Sequence, residues 1–92
     1  MPVSVLIPTP SRKFTNGEDT VSVQADSVGA LVDALDQGYP GLGKSLRKPD
    51  GSLNQYINIY VNDEDIRFLQ NTETPLKDGD QVSIVPAIAG GN

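Results

Sequence analysis

The strongest strand signal in the sequence is YINIYV, at residues 56–61. Its apolar residues Ile57, Ile59 and Val61 are two positions apart, so all three lie on one face of an extended chain. Isoleucine, valine and tyrosine are also the residue types that favour strands. The segment is therefore predicted to be a strand of a sheet that buries one face.

The chain downstream of this strand is predicted to turn twice and to end in another strand. The polar run at 62–65 predicts a tight turn, and residues 66–69, IRFL, predict a short strand. KDGD at 77–80 is a second turn signal, because glycine tolerates positive φ. Residues 82–85 form the last strand, which Pro86 ends because proline has no N–H to donate to a ladder.

Upstream, two further apolar alternations are separated by a turn signal. Val3, Val5 and Ile7 are spaced by two, as are the apolar residues of 21–25, and Asn-Gly lies between them at 16–17. Asparagine and glycine both accept positive φ, which tight turns require. The two stretches are predicted to form an antiparallel hairpin.

The apolar period then changes to that of a helix. The residues at i, i+3, i+4 and i+7 are Val28, Leu31, Val32 and Leu35. Asp26 or Ser27 can cap the free N–H groups, Gly38 fits the position past the end, and Pro40 blocks continuation. A short helix near 27–37 is predicted.

Residues 38–55 are rich in glycine, proline and charge, and we expect only one short helical turn there, anchored by Leu42 and Leu46. The order of elements predicts an α+β fold with one main helix packed across a mixed sheet. We expect one domain over 1–86, followed by a flexible tail over 87–92.

The composition excludes several classes of function. There is no cysteine and no histidine, which rules out thiol nucleophiles, zinc–thiolate sites and the usual general base. Twelve acidic and seven basic side chains give a net charge of −5, which argues against nucleic-acid binding. No apolar run approaches the ~20 residues that span a bilayer, and the N-terminus lacks a charged signal segment. No membrane partner and a cytoplasmic location are therefore expected.

Three stretches resemble a known family: YPGL at 39–42, YINIYVNDEDIR at 56–67 and LKDGDQVSIVPAIAGG at 76–91. In order and spacing they resemble the ubiquitin-like sulfur-carrier proteins, the group that contains ThiS, MoaD and CysO. Residues 61–68 and the length look most like CysO, which is associated with cysteine synthesis. The resemblance implies a ubiquitin-like β-grasp fold, whose first and last strands are parallel neighbours in the middle of the sheet.

The resemblance also implies a carrier rather than an enzyme, one that binds no cofactor or metal of its own. An E1-like adenylating enzyme would use ATP to convert the acyl group of Gly91 to an adenylate and then to a thiocarboxylate. A sulfur-accepting synthase, such as a cysteine synthase, would receive the sulfur. Ala89 and Ile88 would bind the partner as an extended strand, and Gly90 would let the backbone pass a narrow channel.

Two residues outside the tail are candidate partner contacts. Arg67 lies within the matched run and can pair with a partner carboxylate. Tyr60 shares a strand face with Tyr56, and aromatic pairs on exposed faces are typical of interfaces.

Asn92 departs from the family pattern, in which mature carriers end at the second glycine. Three interpretations remain open: a JAMM-type metalloprotease removes Asn92, Asn92 is foreign to the natural chain, or the carrier is loaded on Asn92. The function also has alternatives: a ubiquitin-like modifier conjugated to lysines through the same tail, or a carrier for thiamin or molybdopterin synthesis.

Overall fold

A computed structural model describes residues 2–54 and 57–86. In this part of the chain, five strands form one mixed sheet: β1 Val3–Leu6, β2 Thr20–Val23, β3 Ile57–Val61, β4 Glu64–Asp65 and β5 Gln81–Pro86. Their spatial order is β2-β1-β5-β3-β4. β1 and β5 are parallel, and the other neighbours are antiparallel. The first and last strands thus lie side by side in the middle, which confirms the predicted α+β, β-grasp architecture.

The main helix, α1, covers Val28–Gly38 and lies close to its predicted position. Of the two possible caps, Ser27 is the one used, because its hydroxyl accepts a hydrogen bond from the N–H of Ala30 at 3.1 Å. The prediction for Gly38 was wrong. It is the last helical residue and does not have positive φ, and the N–H of Tyr39 bonds the carbonyl of Leu35.

A second helix, α2, covers Pro40–Leu46, where the sequence predicted only one helical turn. Pro40 begins this helix as well as blocking the first, since a proline suits the opening turn of a helix. Leu42 and Leu46, four positions apart, are both buried. At Gly43 an added Cβ would lie 2.6 Å from the Cα of Asp36, so α2 approaches α1 too closely for any side chain there.

The core lies between the helices and one face of the sheet, here called the inner face. Its buried members are Val3, Val5, Ile7, Val21, Val28, Leu31, Val32, Leu35, Leu42, Leu46, Ile59, Val61, Ile66, Leu76, Val82 and Ile84. All four residues of the predicted helical stripe are among them. Burying each such side chain contributes on the order of 2 kcal/mol, so this face supplies most of the driving force for folding.

The predicted strand at 66–69 was wrong. β4 ends at Asp65, and Ile66–Phe68 is a turn of 3-10 helix. The carboxylate of Asp65 accepts a hydrogen bond from the N–H of Arg67 at 2.8 Å. That bond occupies a donor that a strand would present to its neighbour, and it turns the chain so that Ile66 enters the core.

No helix in residues 2–54 or 57–86 is both long and apolar enough to cross a membrane.

Candidate functional site: the root of the tail and the outer face of the sheet

The predicted reactive tail is attached to the middle of the sheet. β5 is hydrogen-bonded to β1 on one side and β3 on the other, and its last residue, Pro86, lies opposite Ile57. The predicted site residues Ile88, Ala89, Gly90, Gly91 and Asn92 all lie outside the described residues. A central strand is held by two ladders, so the point from which the tail extends is fixed relative to the whole domain.

The sheet face away from the helices, here called the outer face, presents both apolar and polar side chains near the end of β5. The register places Leu6, Ser83 and Tyr60 in one row across β1, β5 and β3. All three are partly buried, and Val85, two residues further along β5, is 41% exposed. Aromatic side chains are enriched at protein interfaces, so this row is a candidate contact surface.

Tyr60, one of the predicted contact residues, therefore lies on the outer face as expected. It is opposite Asp65 in the β3–β4 pair. Tyr56, its predicted neighbour on the same face, lies outside the described residues.

Arg67, the other predicted contact residue, is held by an acidic partner within the chain. Its Nε lies 3.1 and 3.2 Å from the two carboxylate oxygens of Asp65, and its Nη2 lies 2.7 Å from one of them. The Asp65 side chain is 6% exposed and that of Arg67 is 62% exposed. The carboxylate thus fixes the guanidinium from beneath and leaves its outer edge open to solvent.

The electrostatics agree with this geometry. Hydrogen bonds from the side chain and backbone of Arg67 hold the pKa of Asp65 below its usual value. The same pair raises the pKa of Arg67, first through the hydrogen bond to Asp65 and then through its charge, with a further contribution from Tyr60. Asp65 connects the two predicted contact residues, because it is the strand partner of Tyr60 and the ion-pair partner of Arg67.

Sequence reasoning missed several members of this surface. Leu6 and Val85 belong to alternating strands, but a single strand pattern does not show which neighbours cover its second face. Asp65 was assigned to a solvated turn, whereas it is buried and forms the ion pair with Arg67. The signal available was the Asp-x-Arg spacing, which allows a side chain to accept from the N–H two residues on.

Comparison with known proteins identifies the family. Residues 5–91 match the ThiS family, which covers nearly all of the chain. The chain belongs to the ThiS family. The prediction of a sulfur carrier of the ubiquitin-like type is thereby confirmed at the level of the family.

Individual relatives refine this placement. The sulfur carrier protein CysO of Mycobacterium tuberculosis is 45% identical over 93 residues, which cover 99% of this chain and 100% of that protein. Its crystal structure superposes with a TM-score of 0.86 at 44% identity, over 92% of this chain and 98% of that one. The predicted resemblance to CysO is thereby confirmed in both sequence and structure.

Two further solved structures are similar. One is the BexX/CysO complex of Amycolatopsis orientalis, with a TM-score of 0.88, 42% identity and coverage of 97% and 99%. The other is the small archaeal modifier protein 1 of Methanosarcina acetivorans, with a TM-score of 0.89, 28% identity and coverage of 98% and 96%. A CysO-type carrier has thus been seen in complex with a partner protein.

Proposed function

We propose that the acyl group of Gly91 is the reacting centre of this carrier. The carboxylate of Gly91 attacks the α-phosphorus of ATP on an E1-like adenylating enzyme, releasing pyrophosphate and forming an acyl-adenylate. A sulfide nucleophile then attacks the carbonyl carbon, and the bond from that carbon to AMP breaks. The product is a thiocarboxylate, and the carrier supplies no acid, base or thiol of its own.

The observation that supports this proposal is that the family match runs through the glycine pair, since it ends at Gly91. The β-grasp body supports it as well, because β5 fixes the root of the tail between two ladders. The outer face with Leu6, Tyr60 and Val85 gives the adenylating enzyme a surface to bind while Ile88, Ala89 and Gly90 extend into its channel.

In this sequence the carbonyl of Gly91 is bonded to Asn92. Loading requires a free carboxylate on Gly91, so we propose that hydrolysis of the Gly91–Asn92 bond comes first, by a metalloprotease of the JAMM type. An adenylate formed on asparagine would place its side-chain amide next to an activated carbonyl, where cyclisation competes with sulfur transfer.

The acceptor that we propose is an enzyme of cysteine synthesis. This assignment rests on the 45% identity to a CysO sulfur carrier. The thiocarboxylate sulfur would attack the activated carbon of an amino-acid substrate on the acceptor and displace its activating group, forming a thioester. Hydrolysis of the bond between the Gly91 carbonyl carbon and sulfur would then release the thiol product and return the carboxylate. Acceptors of thiamin or molybdopterin synthesis are the alternatives, and transfer assays with each class of acceptor distinguish them. We also propose a cytoplasmic location, because the reaction consumes ATP.

A chain ending at Gly91 and the full chain ending at Asn92 test the proposal directly. Each is incubated with the adenylating enzyme, ATP and sulfide, and its intact mass is measured. We expect the shorter chain to undergo oxygen-to-sulfur exchange and the full chain to remain unchanged. If the full chain undergoes exchange while keeping Asn92, hydrolysis is not required. If neither chain undergoes exchange, the proposed carrier chemistry is wrong.

A protein modifier is the second candidate, favoured by the similarity to the small archaeal modifier protein 1. The same acyl-adenylate would then be attacked by a lysine amine of a target protein, with AMP leaving and an isopeptide bond forming. High-mass conjugates that resist thiol and hydroxylamine treatment in cell extract would support this role, because an isopeptide survives conditions that cleave a thioester to another protein.

A further inference from the structure

Phe68 is the most exposed large apolar side chain in residues 2–54 and 57–86, with 85% of its surface accessible. Phenylalanine is among the residues most often buried in folded proteins. A single exposed apolar side chain is ordinary, but this one directly follows Arg67, whose guanidinium is fixed by Asp65. Phenylalanine and arginine are both enriched at protein interfaces, and arginine is among the residue types that dominate binding energy there.

Arg67 lies at the end of the sheet where β5 finishes. It lines a cleft with Ile57 and Asn58, and Ile57 is the residue opposite Pro86, the last residue of β5. Phe68 is its neighbour in the 3-10 turn Ile66–Phe68. β4 is two strands from β5, a separation of about 10 Å at normal strand spacing.

The length of the tail limits how far a bound partner can lie from the sheet. Five extended residues, 87–91, reach at most ~18 Å from the end of β5. An enzyme that encloses Gly91 must therefore bring the mouth of its channel close to the root of the tail. Stable interfaces cover about 800 Å² on each partner. An interface of that area centred on the end of β5 extends beyond the separation of about 10 Å between β5 and β4.

We propose that Phe68 and Arg67 form a second anchor for the enzyme that adenylates the tail. The ring of Phe68 enters an apolar recess beside the channel mouth. Arg67 donates from Nη1, which has no partner among the described residues, to an anionic or carbonyl acceptor of the enzyme. Asp65 is the positioning residue, because it holds the guanidinium in one orientation before binding. This proposal rests on the proposed function, because the anchor acts at adenylation, the first step of that function.

The adenylating enzyme is favoured over the sulfur acceptor on chemical grounds. A glycine carboxylate at the end of a chain carries little information, so selecting the correct carrier at the activation step depends on its folded body. The acceptor instead receives a thiocarboxylate, a group that ordinary chain ends lack. Recognition by a side chain of the body is therefore most needed at adenylation.

The test measures carrier-dependent pyrophosphate release by the adenylating enzyme, with chains ending at Gly91 and varied carrier concentration. For Phe68→Ala we expect the KM for the carrier to rise about tenfold with kcat nearly unchanged, as for lost uniform binding. Phe68→Leu retains apolar surface and restores part of the affinity. Gln70→Ala, an exposed change in the same segment, is the matched control and leaves KM unaltered.

Asp65→Asn tests the positioning role. We expect it to raise KM in the same direction as Arg67→Ala and to add little in the double variant, because both act through one guanidinium. Urea unfolding of every variant separates this effect from loss of folding. If Asp65→Asn raises KM by the same factor in the Arg67→Ala background as in the wild type, the positioning role is refuted.

An unchanged KM for Phe68→Ala would overturn the anchor while leaving the carrier function intact. A loss confined to sulfur transfer to the acceptor would also overturn it, and would assign Phe68 to that later enzyme. If the wild-type chain ending at Gly91 releases no pyrophosphate, the proposed function fails and the anchor fails with it.

Discussion

The two faces of β5 differ in what they do, although they belong to one six-residue strand. Val82 and Ile84 point to the inner face and are 0% and 3% exposed, whereas Val85 on the outer face is 41% exposed. The inner face supplies the packing that stabilises the fold, and the outer face leaves apolar surface exposed. Because side chains alternate along a strand, β5 contributes both to the stable core and to the proposed recognition surface.

The first prediction weakens the inner face alone. Leu35 is fully buried between α1 and the sheet, so Leu35→Ala removes packing and leaves a cavity. We expect a loss of about 2–5 kcal/mol in the free energy of unfolding, measured by urea denaturation. Under conditions where the variant is still folded, its KM for the adenylating enzyme should match the wild type. A raised KM in the folded variant would show that the two faces are not independent.

The second prediction tests how tightly the helices pack. In Gly43→Ala the new Cβ would lie 2.6 Å from the Cα of Asp36, and overpacking of this kind costs about 1–3 kcal/mol. Gly38→Ala is the matched control, because nothing lies within 4 Å of its added Cβ. Alanine there should stabilise the end of α1 by about 0.5–1 kcal/mol. Thermal unfolding that ranks the two variants in the opposite order would contradict the close contact between α1 and α2.

The third prediction alters only the outer face. Val85→Thr keeps the branched shape and the strand preference, so the free energy of unfolding should change by less than about 0.5 kcal/mol. The KM for the adenylating enzyme should nevertheless rise severalfold, because a hydroxyl replaces a methyl group at the docking surface. Val82→Thr is the contrasting variant, since it places the same hydroxyl in the core and should reduce stability instead. Equal kinetic constants for Val85→Thr and the wild type would remove Val85 from the interface.

The smallest expected effect is on how the stability of the fold depends on pH in the acidic range. The pKa of Asp65 is lowered in the folded chain, chiefly by the side-chain hydrogen bond from Arg67. The unfolded state therefore binds the proton more readily, and the stability that this carboxylate contributes is present above its unfolded pKa of about 3.9. That contribution is lost as the pH falls below this value towards the folded pKa.

Asp65→Asn should accordingly flatten the fall in stability between neutral pH and this acidic range, as measured by unfolding at several pH values. The pKa of Asp80 is also lowered, first by the hydrogen bond from the N–H of Lys77 and then by that from the Asn62 side chain. Asp80→Asn therefore provides a comparison. An unchanged pH profile in Asp65→Asn would show that the ion pair with Arg67 adds nothing to folding.

The sequence was most informative where one local pattern had one physical solution. The alternation at 56–61, the stripe from Val28 to Leu35 and the Asn-Gly turn each correspond to an observed element, and Asn16 and Gly17 both have positive φ. The segments at 40–46 and 66–69 were less informative. At 40–46, a proline can end one helix and begin the next. At 66–69, the apolar residues fit a strand, but the Asp65 carboxylate accepts from the N–H of Arg67 and turns the chain instead.

For the site, the sequence indicated the tail and two contact residues, Tyr60 and Arg67, and the structure adds how the last two are arranged. The pairing of β3 with β4 places Tyr60 opposite Asp65, and the orientation of Arg67 depends on the carboxylate of that same Asp65. Neither follows from the residue types alone, because strand pairing and the burial of Asp65 result from the whole domain.

The sequence by itself determined that this chain is an α+β domain with an apolar helix stripe and a glycine pair, and that it supplies no thiol or imidazole of its own. These properties follow from residue identity and local periodicity. Only the tertiary structure decided that β1 and β5 are parallel neighbours, that Phe68 is exposed, and which sheet face stays open. Contacts between residues far apart in the chain decide these features, since each depends on what the helices cover once the sheet has formed.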